Sequence, residues 1–252
     1  MKKRILALLI FGASTITTFG QTTFSSYRGS WSPYAGHYNF KSDYEYVSAN
    51  MTETTKLIGS GYTLGCRGSS SIFSLLFDDD SKFYFGDFIG GDMGVSTMKR
   101  KYEGETAKSS FGATFGFDLG LSTGYAISDR LEIGVQVIFL RGNITTDLDN
   151  FLTFAQKSMV ITSIKFENAM LMFGFGKGQV AGGGFGDLEG KGLFIEPRFF
   201  NDDSNRYVFV RYEPNWASET TTSTNTWPSN YNTSSSEAVK GTVLSLGIGF
   251  TY

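Results

Sequence analysis

From Phe111 to Ile127 the chain alternates without a break. Its odd positions are Phe111, Ala113, Phe115, Phe117, Leu119, Leu121, Thr123, Tyr125 and Ile127; its even positions are Gly112, Thr114, Gly116, Asp118, Gly120, Ser122, Gly124 and Ala126. Successive side chains leave a strand on opposite faces, so this segment has one greasy face and one small or polar face. A helix would instead repeat its apolar positions every three to four residues. Strands in globular proteins average about 5–6 residues, whereas a tilted strand needs about 9–11 to cross the hydrocarbon of a bilayer. Length therefore favours a strand that crosses a membrane over one face of a soluble sheet.

Such a strand cannot stand alone. In hydrocarbon every backbone N–H and C=O needs a partner within the protein, so spanning strands must close into a barrel with no free edge. The chain supplies the other staves. Leu244, Leu246, Ile248, Phe250 and Tyr252 share one face at the C-terminal end, opposite Val243, Ser245, Gly247, Gly249 and Thr251. The same parity places strands at 57–66, 70–77, 82–94, 130–141, 158–166, 168–176, 192–200 and 207–213. The expected fold is all-β: a transmembrane antiparallel up-and-down β-barrel of about ten strands, with eight and twelve as bounds. Residues 21–56 are read as irregular or as one extra strand, since Tyr38, Phe40, Tyr44 and Tyr46 alternate with Asn39, Lys41, Asp43 and Glu45. The barrel proper is placed at 57–252. Short links at 78–81, 128–130, 167 and 201–205 take turns with long ones at 95–109, 142–157, 177–191 and 214–240. Bacterial barrels show that pattern, with short turns on the periplasmic side and longer extracellular loops. The short link at 67–69 breaks it.

The two ends of the chain carry addresses. Lys2, Lys3 and Arg4 precede a short apolar core from Ile5 to Ala13, and Thr18 and Gly20 form a small-x-small site. Residues 1–20 are therefore expected to be a signal peptide cleaved after Gly20, because the core is too short to span a bilayer as a helix. The last strand, closing on Phe250 and Tyr252, resembles the terminal strand of outer-membrane proteins, and that resemblance implies that these two residues serve as its assembly signal. The formal net charge of −2, more negative once the cationic start is removed, gives no basis for a nucleic-acid partner. A single cysteine, Cys66, excludes an internal disulfide. No later run approaches the apolar length of a membrane helix. The 24 Phe, 13 Tyr and 31 Gly against only 4 Pro fit long strands with an aromatic outer wall, and Tyr62, Tyr125 and Tyr252 suit the interfacial girdles.

Opposite the greasy face lies the lumen. Parity sends Asp118, Glu132, Lys165, Glu196, Arg198, Arg211 and Glu213 inward, four acids and three bases that can neutralise one another as an ion-pair network. Gly112, Gly116, Gly120 and Gly124 remove bulk along one wall, while Phe194 and Phe200 fill the space. Small barrels have interiors filled by side chains and large ones hold water; ten strands lie between the two regimes.

Catalysis finds little support. The sole histidine, His37, lies in the weakly patterned N-terminal stretch, and there is no nucleophile elbow. Asp78, Asp79 and Asp80 sit in a turn without the spacing of a calcium loop, and the glycines from Gly182 to Gly186 do not open a helix as a phosphate cradle would. No cofactor or metal site is expected. From about residue 57 onward, the alternation, the unequal connections and the terminal aromatic strand resemble the small outer-membrane barrels grouped around OmpA-, OmpX- and OmpW-like proteins. That resemblance is architectural and transfers no functional residue. It implies a monomer in the outer membrane of a diderm bacterium, with outer-membrane lipid and the outer-membrane assembly machinery as partners. The expected role is a structural, loop-displaying barrel with a narrow passive pore for small solutes. The alternative is binding or transport of a small apolar ligand in the lumen, and an outer-membrane enzyme ranks below both.

Overall fold

In the computed structural model, ten antiparallel strands close into one barrel in the order β1-β10-β9-β8-β7-β6-β5-β4-β3-β2. They are β1 (Gly29–Ser48), β2 (Met51–Ser70), β3 (Phe83–Tyr102), β4 (Lys108–Ala126) and β5 (Leu131–Thr146), followed by β6 (Phe151–Phe166), β7 (Ala169–Gly182), β8 (Phe185–Phe200), β9 (Arg206–Asn225) and β10 (Tyr231–Thr251). The structure describes residues 29–48, 51–70, 83–102, 108–128, 130–146, 151–182, 185–201, 205–225 and 231–251. Residues 1–20, read as a signal peptide, the expected turn at Asp78–Asp80 and Tyr252 lie outside these residues. Closure is made by β1 and β10, paired from Ser30↔Thr251 to Val47↔Ser234. Every strand therefore has two neighbours, as hydrocarbon requires.

The strand number agrees with the expected ten, but its membership does not. Gly29–Ser48, inside the stretch read as irregular or as one extra strand, is a full stave and the closing one. Residues 67–69 are no turn: β2 runs straight through them to Ser70. The expected strand at 70–77 thus reduces to the end of β2, and the rest of it lies outside the described residues. The four long loops are also corrected. Residues 95–102, 142–146, 151–157, 177–182, 185–191, 214–225 and 231–240 belong to strands, which continue as paired hairpins beyond the greasy segment. Serine and threonine fill both faces of the β9–β10 hairpin, so it carries no apolar alternation, yet its backbone ladder is complete.

Two local devices adjust the wall. The β6–β7 connection is the pair Glu167–Asn168, and Glu167 takes φ 52°, a left-handed conformation that a two-residue hairpin demands at its first position. The Glu167 N–H donates to the Arg130 carbonyl at 2.8 Å, tying this turn to its neighbour. Between β4 and β5 a bulge leaves Phe139 without a register partner, so Phe139 and Leu140 both face outward.

The wall has two surfaces. Outside, Leu64, Ile89, Phe115, Leu119, Phe173, Val210 and Leu246 are among the many exposed apolar residues. This apolar belt covers the half of the barrel that holds the first residue of β1 and the last of β10, called here the terminal end. Tyr62 and Tyr125 stand on the same outer surface, 68% and 47% exposed. The opposite, far end is polar. Inside, three clusters fill the lumen. Tyr84, Phe88, Ile138, Met159, Ile161, Met170, Met172 and Phe194 form one. Tyr34, Tyr207 and Phe209 form a second, and Tyr38, Phe40, Leu57, Met98, Leu188, Ala217 and Val239 form a third, toward the far end. The core of this protein lies inside the barrel.

Candidate functional site

The charged side chains of the interior meet in the half of the barrel nearer the terminal end. Arg67 of β2 pairs with Asp118 of β4 at 2.5 Å and reaches Glu213 of β9 at 3.7 Å. Arg211 lies 3.5 Å from Glu213 and 2.5 Å from Glu196 of β8. Arg198 completes the row, its Nε donating to Glu196 at 2.6 Å. Acid and base thus alternate along Asp118, Arg67, Glu213, Arg211, Glu196 and Arg198, and the formal charges cancel. Glu196 is fully buried and Arg211 nearly so. Charges this deep are stable only when paired and hydrogen-bonded.

Aromatic faces supply the remaining contacts. The Arg211 guanidinium lies 5.2 Å from the Tyr34 ring, 5.4 Å from Phe194 and 5.2 Å from Phe209, while Arg198 lies 4.9 Å from Tyr207. A flat cation packs well against such rings, where an ammonium would keep more of its water. Glu132 and Lys165 form a separate pair at 3.3 Å on neighbouring strands, with Lys165 4.8 Å from the Phe200 ring.

Glycine makes the long-range contacts reachable. Arg67, Gly90 and Asp118 are in register on three consecutive strands. A Cβ at Gly90 would fall 2.5 Å from Arg67 Cγ, so only glycine lets Arg67 cross β3 to its acid. One rung farther along, Tyr34, Gly65 and Asp92 repeat the device. The Tyr34 hydroxyl passes over Gly65 and donates to Asp92 at 2.8 Å, where an added Cβ would sit 2.5 Å from the ring. The space freed by these lumen glycines is therefore occupied by neighbouring large side chains. A cavity bordered by Ser32, Arg67, Ser69, Ser122, Gln136 and Arg198 measures about 10 Å³, room for about one water.

Arg67 escaped the sequence reading. Arg67-Gly68-Ser69 resembles a turn, and the expected strand stopped at Cys66; only the parity of a longer β2 would have turned Arg67 inward. Tyr34 and Asp92 were missed for a related reason, since the interest of both comes from register across Gly65. Phe194 lies inside against Arg211, and Phe200 borders the terminal-end clusters. His37 is on the outer surface, its ring 5.0 Å from that of Tyr62, on the face of β1 opposite the lumen. Cys66 is a half-buried free thiol.

At the far mouth the chemistry changes. Glu219 and Glu237 are direct register partners on the inward face of β9 and β10. Burial, and next the charge of Glu219, push the Glu237 carboxyl up to about 7. Among the described residues no group of three or more His, Cys, Asp or Glu is placed to hold a metal.

No family model matches the chain, and no curated protein matches it. Solved structures do. The outer membrane protease OmpT from Escherichia coli superposes with a TM-score of 0.51 at 8% identity, over 93% of this chain and 99% of that one. The outer membrane protein OprG from Pseudomonas aeruginosa gives 0.39 at 10% identity, over 90% of this chain and 98% of that one. The first of these likenesses supports the fold, that of an outer-membrane β-barrel; the second is too remote to argue from.

Proposed function

We propose that this chain is an outer-membrane barrel with a sealed interior, a structural element of the envelope that displays its far-end hairpins outside the cell and performs no catalysis. The carrying observation is the charge row from Asp118 to Arg198, which links β2, β4, β8 and β9 across the lumen. An open passage needs continuous water, whereas here guanidinium groups lie against aromatic rings and the third apolar cluster stacks beyond them. The same filling speaks against a lumen pocket for an apolar ligand. The position of the lone histidine on the outer wall, against Tyr62, supports the non-enzymatic reading. The apolar belt supports residence in the membrane, and the terminal aromatic pair Phe250 and Tyr252 fits recognition by the assembly machinery. Planar-bilayer recording on the refolded protein tests the sealed interior. Its expected result is no current step at low or high salt; discrete unitary steps would restore the passive pore.

A further inference from the structure

The far edge of the apolar belt carries an unusual row. Lys177↔Lys191, Lys191↔Trp216, Trp216↔Lys240 and Lys240↔Lys41 are direct register partners on β7, β8, β9, β10 and β1. One step on, Lys41 faces Ile58, and Ile58 faces Lys99 of β3. All these lysines are exposed, and their strand parity points them away from the lumen. Like charges directly opposite on a sheet repel, so a row of this kind calls for an outside counter-charge. Among the described residues only Lys41 has one, Asp43 at 2.6 Å.

Position identifies the counter-charge. On β10 the outward residues between Phe250 and Lys240 are Ile248, Leu246, Leu244 and Thr242. That interval matches the roughly 9–11 residues a tilted strand needs to cross hydrocarbon. Trp216, in the row itself, is the residue type that settles at such an interface. Immediately below, Thr242, Asn39, Ser60 and Thr97 are in register on β10, β1, β2 and β3, outward hydroxyl and amide groups at the same boundary. The terminal edge is different: it mixes signs, with Arg130 paired to Glu167 at 3.5 Å.

We propose that the face formed by β10, β1, β2 and β3 at this edge binds phosphate-bearing lipid headgroups of the leaflet at the far end. Lys240 and Lys99 neutralise the phosphate charge on either side of the Lys41–Asp43 pair, and Asn39, Ser60 and Thr97 hydrogen-bond to it. This rests on the membrane reading above. The test uses the full mature chain refolded in a neutral maltoside detergent and titrated with phosphatidic acid or phosphatidylcholine, with retained lipid read by native mass spectrometry. Phosphatidic acid is expected to be retained preferentially, and K99S/K240S to weaken its binding about ten- to thirtyfold. K99R/K240R is expected to restore binding, and R130S/R206S at the other edge to leave it unchanged. Equal retention of the two lipids, or unaltered binding by K99S/K240S, overturns the proposal. So does complete displacement by equimolar inorganic phosphate, which would assign the site to the free anion. Each variant is also run unboiled on a gel; a wild-type protein without heat-modifiable mobility would refute the barrel itself and not the lipid site.

Discussion

The inner and outer walls of this barrel come from the same strands, one residue apart, and obey opposite rules. On the outer wall Leu119, Phe173 and Leu246 are uniformly apolar and exposed. On the inner wall Glu196, Arg211 and Arg67 are buried, charged and tied to particular partners. Lipid asks only that a side chain be apolar, whereas a charge buried in the lumen needs a counter-charge. Specificity is thus concentrated inside, and removing an inner charge is expected to cost more than inserting an outer one.

The largest effect is predicted for Glu196→Ala, which removes the buried carboxylate that Arg211 and Arg198 share. A loss of about 3–5 kcal/mol follows from breaking a buried pair on one side, measurable by urea unfolding of the refolded protein in detergent micelles. Loss below about 1 kcal/mol would mean that water reaches the network, and the contrast between the walls would fail. Next, Leu246→Arg places a charge on the lipid face and is predicted to cost about 2–4 kcal/mol in bilayer vesicles. The same charge at Thr222, on the outer face of the polar hairpin, should cost almost nothing, which locates the belt edge.

Gly65→Ala tests the inner wall more finely. The new methyl would press on the Tyr34 ring and lift its hydroxyl from Asp92. A loss of about 1–3 kcal/mol is expected from overpacking, whereas Gly68→Ala, with its nearest neighbour at 3.3 Å, should be milder. The smallest effect concerns Glu237. Its carboxyl is raised to about 7 from an ordinary value of 4.5, so the folded state holds a proton that the unfolded state has released. Stability should therefore fall as pH rises from 4.5 to 7, and Glu237→Gln should flatten that slope. An unchanged slope in the variant would assign it to other groups.

These differences also explain what could be read from the sequence. β4 and β10 were legible because their outward residues are Phe, Leu and Ile against Gly, Ser and Thr. β1 was legible only as irregular chain or one extra strand, because its aromatics Tyr34, Tyr38 and Phe40 face inward while Pro33, Ala35, His37 and Asn39 face out. Its alternation is real but inverted in meaning. The far halves of β9 and β10 were read as loop because Ser and Thr occupy both faces, and a backbone ladder leaves no trace in hydropathy. In the lumen, parity alone turns Asp118, Glu196, Arg198, Arg211 and Glu213 toward one space. Which charge meets which is a matter of register, and Arg67 reaching Asp118 across Gly90 has no one-dimensional signature.

Both walls presuppose closure, and the closing seam of β1 against β10 is the part least visible in the sequence. Heat-modifiable mobility of the detergent-solubilised protein tests it most directly. A closed, fully paired barrel should resist the gel detergent and migrate as a compact, faster band until boiled, then shift to the position of its full mass. Identical mobility before and after boiling, with the protein recovered from the soluble fraction without detergent, would contradict the barrel.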